Sequence, residues 1–95
     1  MYALFTELDI PAGTPTAGAP EGLRRNAIPQ VREAGATGAY WLEAMNGRAM
    51  GVILFDDEAK ARAAAAGLTV GGRPKDAPEG VAFRTIEVRE VIAHL

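Results

Sequence analysis

The sequence predicts an α+β fold: a four-stranded antiparallel sheet with two helices on one face, in the order βαββαβ. Three observations predict it. Residues alternate with a period of two at both ends of the chain, an Asn46-Gly47 pair separates two strand-like runs in the middle, and a helical stretch lies on either side of that hairpin. Ninety-five residues with 48% hydrophobic content suit a single domain, 1–95. A chain this short buries a modest share of its surface and commonly gains stability by self-association.

Tyr2 to Ile10 sets Tyr2, Leu4, Thr6 and Leu8 against Ala3, Phe5, Glu7 and Asp9, and Pro11 ends this first strand. Pro11 to Pro20, rich in proline, glycine and small polar residues, predicts a surface loop. Glu21 to Ala34 then places Leu23, Ala27, Ile28, Val31 and Ala34 along one side of an amphipathic helix that stops at Gly35. Pro29 interrupts it. Its ring clashes with the carbonyl of Arg25, so a kink near Arg25 or a helix in two short pieces is expected.

Ala39 to Met45 and Arg48 to Phe55 flank Asn46-Gly47, the pair best suited to the positive φ angles of a type I′ turn. An unbroken ladder from that turn pairs Met45 with Arg48, Glu43 with Met50 and Trp41 with Val52 on one face. It pairs Ala44 with Ala49, Leu42 with Gly51 and Tyr40 with Ile53 on the other. The second set is small or aliphatic and predicts the helix-facing side, with Tyr40 in core packing. The first set is amphipathic and suits a cavity or an interface. Asp56 or Asp57 caps a helix from Glu58 to Ala66, ahead of Gly67. Val70 to Gly80 is a second turn-rich loop, and Val81 to Leu95 alternates as a long final strand.

Composition narrows the function classes. Ten basic and twelve acidic residues are interspersed and leave a net charge of −2, so no basic footprint for nucleic acid is expected. The absence of cysteine removes disulfides, thiolate catalysis and cysteine zinc sites. No apolar run approaches the roughly 20 residues that span a bilayer. MYALFTELDI is strand-like rather than a leader, and the expected setting is cytoplasmic.

The order βαββαβ is that of the ferredoxin-like sandwich. A helix with an internal proline followed by a strand (AIPQVREAGATGAYWLE, Ala27 to Glu43), and a strand ending in phenylalanine before an acidic cap and an alanine-arginine helix (GVILFDDEAKARAAA, Gly51 to Ala65), resemble the dimeric α/β-barrel superfamily. Within it the chain is most similar to small proteins grouped with the antibiotic-biosynthesis monooxygenases. The resemblance implies a homodimer whose two sheets pair into a barrel, with a ligand held between sheet and helices or inside the barrel. It also implies chemistry such as cofactor-independent oxygenation of polyketide-like aromatics, lactone isomerisation or haem degradation, served by an asparagine, a tryptophan and sometimes a histidine. Here those types are Asn46, Trp41 and His94, whose order and spacing do not reproduce the haem-degrading pattern.

Each candidate has a structural role as well as a functional one. Trp41 serves equally as a ligand contact or as a core or dimer-interface residue, and the turn explains Asn46 without any chemistry. His94 is the only imidazole in the chain but sits one residue from the last. Strand alternation sends Glu7, Glu43, Glu87 and Arg89 toward one cavity, where two converging acids create a proton acceptor, and Phe5, on the same side of the first strand as Glu7, is a further ligand contact. Cross-strand Glu–Arg pairs, including Arg48 and Arg89, account for the same residues. Met45 and Met50 adapt to an apolar ligand or fill gaps.

Two functional expectations follow. The first is an enzyme needing no cofactor or metal, a monooxygenase or isomerase of a small aromatic or polyketide-like compound. In it Trp41 positions substrate, Glu43 or Glu87 takes a proton, and Arg89 or Asn46 stabilises the anion. The second is a non-catalytic homodimer that binds a small apolar molecule or serves in assembly.

Overall fold

The computed structural model describes all 95 residues. Four strands, β1 (Tyr2–Asp9), β2 (Gly38–Trp41), β3 (Arg48–Phe55) and β4 (Ala82–Glu90), form one antiparallel sheet in the order β2-β3-β1-β4. With a helical segment after β1 and another after β3, this is the ferredoxin-like βαββαβ topology. β3 and the second helix, α3 (Glu58–Ala66), have the bounds expected from sequence, and β1 ends one residue early.

The first helical segment shows how the chain accommodates Pro29. It runs as α1 (Ala19–Gly22), a π-helical turn (Leu23–Ala27) and α2 (Ile28–Glu33). Within the π turn Ile28 N–H donates to the Leu23 carbonyl, one residue further back than in an α-helix, so the ladder widens just ahead of the proline ring. Of the two expected outcomes, the helical path is distorted around Arg25 and does not break into separate pieces. Gly35, at φ +95°, then closes α2 in a Schellman arrangement. Ala36 N–H reaches the Val31 carbonyl at 2.9 Å and Gly35 N–H reaches that of Arg32 at 3.0 Å.

At the start of α3, the Asp57 carboxylate accepts from Lys60 N–H at 2.9 Å. Glu58 pairs with Arg62 one turn later at 2.7 Å. Ala61 is fully buried, and α3 packs across β1, β3 and β4. Its alanine body allows this close approach. The core on the helix side of the sheet centres on Leu4, Ile53, Phe55 and Ala61, with Val31, Ala39, Trp41, Leu68, Ile86 and Val88 packed around them.

The hairpin departs from the expected ladder. Asn46 and Gly47 adopt φ of 54° and 76°, and Met45 and Arg48 exchange backbone hydrogen bonds at 2.8 and 3.0 Å, so the type I′ turn forms as anticipated. Further out, however, Trp41 pairs with Gly51, Tyr40 with Val52 and Ala39 with Ile53. Leu42, Glu43 and Ala44 thus oppose only Ala49 and Met50, a bulge with one extra residue on the first strand. The slip of one residue exchanges the faces of β2: Trp41 turns to the helices, and Tyr40 turns away from them and stands 67% exposed. The expected core role of Tyr40 is corrected accordingly. β4 also carries an irregularity, between its pairings with Glu7 and Leu8, and it stops at Glu90. Val91 adds one bond to the Met1 carbonyl, and Ile92 and Leu95 are exposed.

Candidate functional site

The two faces of the sheet offer different environments. On the face away from the helices, neighbouring strands present Ala3, Phe5, Val52, Leu54 and Tyr40 with Glu7, Glu87, Arg89 and Thr85 beside them. Glu7 is the most enclosed of these acids, its side chain 16% exposed. It accepts from Thr85 Oγ1 at 2.9 Å and lies 3.9 Å from the Arg48 guanidinium. Glu87 pairs with Arg89, two residues on, at 2.8 Å. Each acid therefore has its own partner. Of the set expected to converge, the structure brings Glu7, Glu87 and Arg89 onto one face beside Phe5, in the ion-paired arrangement, and leaves Glu43 away from them at the hairpin tip.

A second group gathers at the hairpin tip. Glu43, Met45, Asn46 and Met50 line an open hollow of about 740 Å³ with Leu42 and Arg48. Leu42 and Met45 are more than half exposed there. Asn46 is held by its turn conformation, and His94, in the segment after β4, contacts only the Leu95 carbonyl oxygen.

Trp41 belongs to neither group. Its indole lies over Gly51 on the helix side of the sheet, so close that a β-carbon at position 51 would stand 2.9 Å from the ring's Cδ1 and 3.0 Å from Nε1. Glycine at 51 is what lets the ring approach the strand this closely. The indole forms one wall of a cleft of about 230 Å³ between α2 and β2, together with Ile28, Val31, Ala36, Thr37 and Ala39. Arg32 stands at its rim. It is the one arginine of the first helical segment without an acidic partner, since Arg24 and Arg25 both bridge to Glu21 at 3.7 and 3.6 Å.

The proposed catalytic set is therefore separated within one chain. Trp41 lies on the helix side, Glu87 and Arg89 lie on the opposite face, and Glu43 and Asn46 sit at the hairpin tip. No carboxylate lines the cleft beside the indole. Arg32 and Gly51 were not identified from sequence as site residues. Arg32 fits the polar side of an amphipathic helix, and the role of Gly51 depends on a bulge that the sequence does not mark. No family model, curated protein or solved structure matches this chain, and its ferredoxin-like α+β topology rests on the order and pairing of its own strands.

Proposed function

We propose that this protein is a homodimer that binds a small apolar or aromatic molecule in the cleft between α2 and the sheet. The observation that carries the reading is the cleft itself, where an indole, aliphatic side chains and an unpaired cation converge without a group placed to take a proton. A monooxygenase acting there needs a proton acceptor next to Trp41. The lining side chains provide none, which favours binding over turnover.

The dimer is supported by the opposite face. Only seven of 95 residues are buried. The accessible surface of 6357 Å² exceeds by about 1,100 Å² the value that size scaling gives a monomer of this mass. That excess is comparable to the roughly 800 Å² each partner hides in a standard interface. The apolar patch around Phe5, Val52 and Tyr40, flanked by the Glu7–Arg48 and Glu87–Arg89 pairs, offers a two-fold copy an apolar centre and a charged rim.

Two measurements test the reading. Sedimentation should give about twice the 10.0 kDa chain mass, and Val52→Asp should return the monomer without unfolding it; a monomeric parent chain removes the dimer. Benzyl alcohol, titrated in an ¹⁵N-labelled sample, should shift the amides of Val31, Ala36 and Ala39 and the Trp41 indole N–H. Shifts confined to other residues would remove the cleft.

A further inference from the structure

We infer that the ligand of this cleft is an anion, a single-ring aromatic carboxylate whose carboxylate group is held by Arg32. The inference rests on the cleft reading above and adds to it the charge, the size and the residue that selects the ligand.

Charge follows from the pairing of the arginines. On α3 and the sheet, Arg62, Arg48, Arg84 and Arg89 each have an acidic partner within 4.0 Å, as do Arg24 and Arg25; Arg73, in the loop before β4, has none but lines no part of the cleft. Arg32 has no ion pair or side-chain hydrogen bond, although it is in the last turn of α2 and lines an apolar cleft. A guanidinium presents a planar fork of donors that matches a carboxylate in two parallel hydrogen bonds, and its own chain leaves that fork free. The carbonyls ending α2 would ordinarily compete for the guanidinium and repel an anion. Here Gln30, Val31 and Arg32 direct theirs to the amides of Ala34, Ala36 and Gly35 at 2.9–3.0 Å, which removes much of that competition.

Size and shape come from the remaining walls. A volume of about 230 Å³, against roughly 30 Å³ for a water in the liquid, leaves room for one six-membered ring with a carboxyl group. The flat indole of Trp41 favours a planar partner, which stacks on it in an offset or edge-on arrangement. Ile28 and Val31 close the apolar side.

The experiment compares benzoate with benzyl alcohol, a neutral molecule of similar size. Trp41 is the only tryptophan in the chain, so intrinsic fluorescence reports from the cleft wall. The expected result is that benzoate binds at least about tenfold more tightly than benzyl alcohol, and that Arg32→Gln abolishes this preference. The dispersion of the variant's amide spectrum shows that it is folded. Equal affinities in the parent chain, or a preference that survives Arg32→Gln, would overturn the anion inference and leave the cleft reading intact. If neither compound perturbs Trp41, both fall together.

Discussion

Replacing Gly51 with alanine probes the contact on which the cleft depends. The new methyl group would lie 2.9 and 3.0 Å from Cδ1 and Nε1 of Trp41, whereas carbon atoms settle at about 3.5–4.0 Å. The indole must therefore lift by roughly half an ångström to one ångström, or the strand must move. Overpacking of this kind costs about 1–3 kcal/mol, and replacing a glycine inside a strand returns about 0.5–1 kcal/mol, leaving a net loss of about 0–2.5 kcal/mol. For a domain of this size, 1 kcal/mol corresponds to about 4–8 °C in Tm. Urea denaturation of the parent, Gly51→Ala, Trp41→Ala and the double variant isolates the clash. In the Trp41→Ala background the same alanine should be neutral or stabilising, with a coupling of at least about 1 kcal/mol. The Thr6 hydroxyl, also 3.0 Å from the new methyl, is present in both backgrounds and cancels in the cycle. If Gly51→Ala were as stable as the parent with unchanged tryptophan emission, Trp41 would not lie on Gly51. The register that places it in the cleft would then be wrong.

Two further outcomes are expected. Asp57→Ala removes the only side-chain cap of α3 and should cost about 1 kcal/mol in chemical denaturation; a change of a tenth or two would show that packing alone holds the helix start. The Tyr2 phenol should ionise above its ordinary value of 10.0, chiefly because the Glu90 carboxylate opposes a second negative charge, with Glu58 adding to the effect. The folded chain then holds this proton more tightly than the unfolded one. Its contribution to stability is complete below pH 10.0 and is lost as pH rises through the folded value. A tyrosinate absorbance titration in a Tyr40→Phe background should show the Tyr2 midpoint falling on Glu90→Gln; an unmoved midpoint would remove Glu90 as the cause.

Elements that depend on local chemistry were legible in the sequence. Asn46-Gly47 fixed its own turn, Asp57 and Gly67 bounded α3, and alternation gave β3 its limits. Pro29 announced a disturbance but not its form, because a π turn and a break answer the same steric problem. The face of Trp41 was illegible. Leu42, Glu43 and Ala44 contain no glycine or proline to mark a bulge, and one extra residue there reverses every side chain beyond it. The open-face residues Phe5, Glu7, Glu87 and Arg89 were found together because no such insertion separates Glu7 from Phe5, or Glu87 from Arg89, within their strands. Trp41 was singled out from its chemistry, yet its neighbours Arg32 and Gly51 emerge only once the register is known.

The bulge also gives the hairpin a slip joint. On its outer side, β2 is anchored by the Gly38–Trp41 ladder and by the indole resting on Gly51; on its inner side, the turn is anchored by the Met45–Arg48 pair. Of the three residues between these anchors, Leu42 still belongs to the outer one, its N–H donating to the Met50 carbonyl at 2.9 Å. Removing Glu43 or Ala44 would straighten the strand while leaving Trp41 over Gly51, whereas removing a residue from Gly38–Leu42 would break the outer anchor. Tolerance to length change in this chain should therefore be concentrated at Glu43 and Ala44, where the loop tip can be remodelled without turning the cleft inside out.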